Sequence, residues 1–452
     1  MVGRSCVALA IALTSGICLF AQDTRTVVEP KIPTVCTTLT AQLMSSGGGI
    51  SESDESKLDT GRIQRAMDRC KAKEAVELAV GGNNNAFLTG PIELRPGVTL
   101  LVDKGVTLFG SRNPKDYEVG AGSCGLVNDA PRGCKPLIAA KDASGSGVMG
   151  EGTIDGRGGA KILGLSKSWW ELAADARAGG RQQVPRLIET DKTNDFTLYR
   201  ITLKNSANFH VVFHHGDGFT IWGLKIDTPR DARNTDGVDP SASKNITMAY
   251  SYIRDGDDNI AIKGGDGPVT NMTVMHNHFY WGHGMSIGSE TVGGVSKIRV
   301  EDLSLDGTDA GVRIKSNPTR GGLVQDVIYE DVCIRNSKNP IFLDTNYSYR
   351  GKSVDKFPVY EGIVLRNIRI SGGEQIALNG FDAKHRIGVQ FDGVLITDNP
   401  ADYKFSVKHT DLVLGPGPVN FQMAGEDSTQ RGKPGMGTLN SCSEKFVPFP
   451  SN

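Results

Sequence analysis

The chain is short of several features that would place it quickly. It has no charge of one sign to spare: Lys+Arg 50 stands against Asp+Glu 51, a formal balance of −1, which excludes an acidic-tail protein and a strongly basic nucleic-acid binder. Aromatic residues, at 7%, are not enriched. No C-x-x-C spacing occurs, so a structural zinc site has little support. Long apolar runs are missing apart from Cys6 to Phe20, which is short for a membrane span, contains Ser15 and Gly16, and has no second apolar span behind it. Helical periodicity is scarce too. Only the stretch from Leu58 to Cys70 puts Ile63, Ala66, Met67 and Cys70 at i, i+3, i+4 and i+7, behind a capping Asp59 or Thr60.

Glycine, by contrast, is abundant, at 56 of 452 residues against ordinary usage of about 7%, so the backbone turns tightly and often. Hydrophobic residues, 38% of the total and spread throughout, place the chain with globular proteins that bury a large core. Arg4, the apolar stretch and the polar run from Asp23 read as a secretory signal peptide over residues 1–21, cut after Ala21. A lipid anchor at Cys18 is disfavoured by the bulky Ile17 before it. The mature protein, residues 22–452, is therefore expected outside the cytoplasm, extracellular or periplasmic, with no membrane attachment. Cys6 and Cys18 leave with the signal, and six cysteines remain for disulfides in an oxidising compartment. Local pairing joins Cys36 to Cys70 and Cys124 to Cys134, which leaves Cys333 with Cys442 by elimination.

From Val98 onward, short β-rich runs resemble one another. FTLYRITL from Phe196, FTIWGLKI from Phe219, ITMAYSYI from Ile246, MTVMHNHF from Met272 and IRVEDLSL from Ile298 start 23, 27, 26 and 26 residues apart. VTLLVDKGVTLFG from Val98, VMGEGTIDG from Val148, VIYEDVCI from Val327 and IVLRNIRI from Ile363 belong to the same series. The period is too short for a βαβ unit, and neither the longer blades of a propeller nor a leucine-rich template is present. The expected fold is all-β: a single right-handed parallel β-helix. The helix near Leu58 would cap its N-terminal end and cover the exposed edge, and an irregular tail would start at about Gln422. Coils of a solenoid stack about 4.8 Å apart, so residues one repeat apart in sequence become neighbours in space.

Four consecutive repeats carry polar clusters: NTDGVDP from Asn234, GDDNIAIK from Gly256, GHGMSIGS from Gly282 and GVRIKS from Gly311. Aligning them on Val238, Ile260, Met285 and Val312 gives steps of 22, 25 and 27, which puts all four on one face. An isolated Asp or Asn at a coil corner is commonly a turn cap; four clusters in register are harder to dismiss. That face gathers Asp236, Asp257 and Asp258, with His283, Arg313 and Lys315. Carboxylates packed closely cannot all ionise normally, so one holds a proton and another stays a base, the pair that glycosidic cleavage needs. The adjacent cations suit a substrate carrying its own carboxylates.

Asn234-Thr235-Asp236, Gly256-Asp257-Asp258, Gly282-His283-Gly284 and Arg313-Ile314-Lys315 resemble the four signature motifs of the polygalacturonases, glycoside hydrolase family 28. The surrounding NTDGVDPSASKNITMAYSYI and GHGMSIGSET are similar to secreted endopolygalacturonases of bacterial plant pathogens. The likeness runs from FLTGPIEL to LDTNY; the insert Asp116 to Arg186, with Trp169-Trp170, and the tail are less typical. The resemblance implies a parallel β-helix that hydrolyses α-1,4 bonds of polygalacturonate with inversion. Asp257 would be the general acid, and Asp236 and Asp258 would hold and activate the water. His283 would keep the acid protonated, Arg313 and Lys315 would bind a galacturonate carboxylate, and Asn234 would orient the cluster. Tyr347 matches a family tyrosine at the substrate groove. The implied partner is a pectic polysaccharide, with no nucleic acid, metal or cofactor, and a monomer is expected.

Exo-acting polygalacturonases and rhamnogalacturonan hydrolases share the catalytic aspartates and remain open, as does the question whether the insert and its tryptophans close the groove. A calcium-dependent pectate lyase would use metal-binding carboxylates and a basic residue instead. A non-catalytic adhesin-like solenoid would tolerate loss of one acidic residue, and none is lost.

Overall fold

The computed structural model describes residues 22–351 and 355–451; the segment read as a signal peptide, with Cys6 and Cys18, lies outside the described residues. Each coil contributes three short strands to three parallel stacks. Phe196–Tyr199, Asp217–Trp222 and Lys244–Ala249 lie in the first, and Thr202–Lys204, Lys225–Asp227 and Tyr252–Arg254 in the second. Val211–His214, Val238–Ser241 and Ile260–Ile262 lie in the third. Farther along, long strands such as Val269–Phe279 and Val295–Asp306 run through the corner between the first two stacks.

The register is the one the repeat predicts. Phe196, Phe219, Ile246, Met272, Ile298, Val327 and Ile363 pair in turn along the first stack. Val238, Ile260, Met285 and Val312 do the same along the third. These inward residues are buried in one continuous core that runs the length of the stack. Burying each such side chain stabilises by about 1.5–3 kcal/mol. Alternate residues face outward, so the strands alternate apolar and polar although the sheets are parallel, because only their inner face is covered. The corner between the first and second stacks is turned by one left-handed residue per coil: Arg200, Gly223, Tyr250, His276, Asp302, Asp331, Asn367 and Gly393, with φ between 50° and 85°. A non-glycine residue there costs about 1–2 kcal/mol, and contacts such as Tyr250 stacked on His276 and His276 bonded to Asp302 offset it in part.

The helix Thr60–Arg69 forms as expected, and Ile63, Ala66 and Met67 close the end of the core. Its capping differs from the expectation. Asp59 bonds Arg62 and the amide of Leu88, and Thr60 accepts from the amide of Gly90 at 2.7 Å, so both residues tie the helix to a coil rather than cap it. The helix covers part of the exposed edge, bonding the backbone of Leu88, Gly90 and Glu93, and the strand Thr34–Thr40 covers another part by pairing on Glu74–Ala79, with its Cys36 bonded to Cys70 at the helix end. Cys124–Cys134 and Cys333–Cys442 are also joined, completing the expected set. The tail is more ordered than expected. Glu426–Arg431 adds one more parallel strand, and after Cys442 the chain runs back along the stack, with Phe446 under Arg335 and Phe449 against Tyr280. No described helix is long and apolar enough to cross a membrane.

Candidate active site

The site forms where the turns into the third stack meet that stack's outward residues. In Ala310–Lys315, Val312 and Ile314 point inward, so alternation sends Arg313 and Lys315 outward. Arg313 is in register with Ser286 and Ala261 on the two preceding coils. The turns into these strands supply Asp236, Asp257, Asp258 and His283. Gly284 is required in its turn: its φ is 83°, and a Cβ there would lie 1.9 Å from the carbonyl of Ala310 on the next coil.

Asp258 is buried and fully engaged. One oxygen accepts from Ser286 Oγ and Arg313 Nη1, both at 2.7 Å, and the other from Lys315 Nζ at 2.7 Å. Asp257 accepts from His283 Nδ1 at 2.9 Å and from Asn234 Nδ2 at 3.3 Å. His283 also faces Asp309, 3.5 Å from its Nε2. Tyr347 lies beside the cations, with its hydroxyl 3.5 Å from Arg313 Nη2 and Lys315 Nζ 5.3 Å from its ring centre. Asp236 is 96% buried; Oδ2 is 3.3 Å from Lys263 Nζ and Oδ1 has no hydrogen-bond partner. A cavity of about 420 Å³ opens over the cluster, lined also by Phe209, Arg233, Ser289, Glu290 and Arg320. All eight residues expected from the sequence therefore meet at one place.

Protonation is divided among the carboxyls. Burial pushes Asp236 well above its ordinary range, and the charges of Asp239 and Asp257 add to the effect. Asp255, behind it, is raised for the same first reason. Burial acts on Asp258 too, but the charges of Lys315 and Arg313 overcome it and hold the group far below the usual carboxylate range. Asp257 is also lowered: burial is the largest single influence and raises it, but the hydrogen bond and charge of His283 together with the charge of Lys315 overcome it. Correspondingly, His283 is raised despite burial, through its bond to Asp257. In the open site the surroundings thus favour an ionised Asp257, the expected acid, paired with His283, and favour the protonated form of the buried Asp236 and Asp255.

Three groups escaped the sequence reading. Lys263 forms an ion pair with Asp239 and reaches Asp236, while Ser286 donates to Asp258. All three lie inside the quoted motifs, and following alternation outward from Val238, Ile260 and Met285 would have found them. The tryptophans of the insert do not line the groove. Trp169 is fully buried, and Trp170 Nε1 donates to the carbonyl of Ser206 at 2.9 Å. Their helix, Trp169–Asp175, instead accepts a bond at Ala173 from Arg233, next to Asn234.

Comparison with known proteins follows this geometry. The model of glycosyl hydrolases family 28 matches residues 70–412. The chain is 44% identical to an endo-polygalacturonase of Pectobacterium parmentieri over 87% of this chain and 94% of that protein. It is 38% identical to a polygalacturonase of Ralstonia solanacearum over 94% and 93%. The solved polygalacturonase of Erwinia carotovora ssp. carotovora superposes with a TM-score of 0.80 at 44% identity, covering 86% of this chain and all of that one.

Proposed function

The chain belongs to family 28 of the glycosyl hydrolases, and we propose that it divides the hydrolysis of polygalacturonate among the carboxylates described above. It is a polygalacturonase of the endo-acting kind, cutting bonds between galacturonate units within pectic polysaccharide. One observation carries this best: Arg313, Lys315 and Tyr347 form a cationic recess directly against Asp258, where a galacturonate carboxylate can be held beside the reacting bond.

Asp257 acts as the general acid, Asp236 and Asp258 hold and activate the water, and the configuration inverts. Substrate entry supplies the proton. It expels water and brings negative charge next to Asp257, and both favour the carboxyl form, so the proton on His283 Nδ1 passes to Asp257 and then to the leaving oxygen. The same carboxylate competes for Arg313 and Lys315. Their grip on Asp258 loosens, and Asp258 becomes a better base as substrate arrives. Asp236, still protonated, orients the water. Asn234 positions Asp257. A calcium-dependent elimination fits the donor set poorly, because Lys263, Arg313 and Lys315 already neutralise the carboxylates a cation would need. The three disulfides, and the apolar segment read as a leader, support an extracytoplasmic location.

The test is incubation of the mature protein with polygalacturonate and EDTA while reducing ends, unsaturated product and viscosity are followed together. Reducing ends with an early viscosity collapse and no unsaturated product are expected. Unsaturated product, or slow viscosity loss with monomer release, would refute the scheme or its endo character.

A further inference from the structure

A second groove, of about 630 Å³, lies on the second stack, away from the third stack that carries the carboxylates. Its floor is a ladder of outward residues in register on successive coils: Thr107, Thr153, Thr202, Lys225 and Tyr252. One wall is the corner that holds Arg200, Gly223 and Tyr250. Gly223 places no side chain between its neighbours and leaves a notch from Arg200 to Tyr250.

The chemistry of this groove is that of a saccharide site. Tyr250 is 44% exposed, and its ring is set against Trp222 at 4.7 Å between centres and stacked on His276 at 5.0 Å. Tyr252 is likewise stacked, on His278 at 5.0 Å. With Trp222 and His276 against Tyr250 and His278 against Tyr252, these rings are held rigidly, and what they leave exposed costs little entropy to use as contacts for the C–H groups of sugars. The half-buried hydroxyls of Thr107 and Thr153 can donate to and accept from ring hydroxyls, while Thr202 is buried. Lys104 and Lys225 line the groove, and among the described residues neither has a carboxylate within ion-pair distance. Arg200 is tied to Glu29 and Glu151, each at 3.1 Å, and so serves as wall rather than as a free cation. Glu151 is the acidic group in the lining.

We propose that this groove binds a galacturonan strand without cleaving it, with rings on Tyr250 and Tyr252 and carboxylates on Lys104 and Lys225. The proposal rests on the pectic substrate class given above. Because groove and active site occupy different faces of overlapping stretches of the stack, a polymer held in the groove tethers the enzyme to its matrix and raises the local concentration of cleavable chain. An oligomer too short to reach both faces gains nothing.

The experiment compares wild type with Tyr250→Ala/Lys225→Glu and, separately, with Lys104→Glu at an exposed position. Retention on immobilised polygalacturonate and on a neutral glucan, and kcat/KM on trigalacturonate and on long polygalacturonate, are measured for each. The expected result is weaker retention on polygalacturonate, KM for the long polymer raised on the order of tenfold, and trimer turnover unchanged within about twofold. Unchanged retention in both variants, equal retention of wild type on the neutral glucan, or equal losses on trimer and polymer would overturn the proposal. If wild type fails to hydrolyse polygalacturonate at all, the catalytic scheme falls, while the retention comparison still decides the groove.

Discussion

Replacing Lys263 by Met tests the electrostatic frame of the site most directly. The side chain keeps its length and its apolar stem, which lies with Nζ 4.1 Å from the ring centre of Phe209, but it loses the charge that faces Asp239 and Asp236. Burial already pushes Asp239 from 3.8 to about 6 with the lysine in place. That interval corresponds to a folded-state penalty on the order of 3 kcal/mol for ionisation. A group raised in the folded state contributes stability that is complete below its unfolded value and is lost as pH climbs through the folded one. Without Lys263 both carboxyls rise further, so the loss extends through neutral pH. Breaking a buried pair costs about 3–5 kcal/mol, reduced here because the carboxyls can take up protons. The variant should therefore be close to wild type at pH 4 and about 3 kcal/mol less stable at pH 8, with Lys263→Arg largely restoring stability. Asp236 works protonated and here holds that proton longer, so the alkaline limb of activity should move to higher pH. Thermal melts from pH 4 to pH 9 and a pH profile of kcat/KM provide the check. An equal stability loss at both pH values, or an unmoved profile, would refute the electrostatic role.

Asp257→Asn should reduce kcat by at least about 10²-fold while leaving the melting temperature and oligogalacturonate binding nearly unchanged, because it removes a proton donor without altering shape. Lys315→Ala should raise KM and cost about 1–3 kcal/mol in kcat/KM, read from steady-state kinetics, as it deletes a charge-assisted bond at the recess. His283 is raised above 6.5 by Asp257, so its contribution to stability and to the proton supply is complete below 6.5 and fades as pH rises through the raised value. The alkaline limb of kcat/KM should move to lower pH in Asp309→Asn, which removes the second carboxylate facing His283. Gly284→Ala should lower the melting temperature, since its Cβ would collide with the carbonyl of Ala310; a melt unchanged within a degree or so would contradict that geometry.

What could be read from the sequence was whatever the coil repeat makes local. Val238, Ile260, Met285 and Val312 can be aligned by eye because strands of alternating polarity must stack inward residue on inward residue, and they do pair. That alignment brings Asp236, Asp257, Asp258, His283, Arg313 and Lys315 together, even though the steps between coils are unequal. The cap of the first helix was harder, because Asp59 and Thr60 spend their bonding on Leu88 and Gly90 almost a coil away. Whether the tryptophans of the insert close the groove could not be read from a segment that no repeat constrains, and the helix that carries Trp170 holds it against Ser206.

Protonation is a different kind of problem, because it depends on two quantities that motif spacing does not carry: how deeply a carboxyl is buried and which donor reaches it. Asp236 and Asp258 are similarly buried, yet their proton affinities diverge in opposite directions, since one faces an unsatisfied volume and the other faces Arg313 and Lys315. Asp257 and Asp258 are adjacent in the chain but answer to different coils, the former to His283 on the next and the latter to cations two coils on. A substrate carboxylate entering the recess must draw on the cations that keep Asp258 ionised, and it crowds the acid that His283 keeps ionised. Under the proposed scheme, binding and the redistribution of protons are therefore one event. An uncharged galactose polymer of the same linkage should fail chiefly in kcat, not only in KM, because it would occupy the groove without drawing the His283 proton to Asp257 or loosening the cations from Asp258.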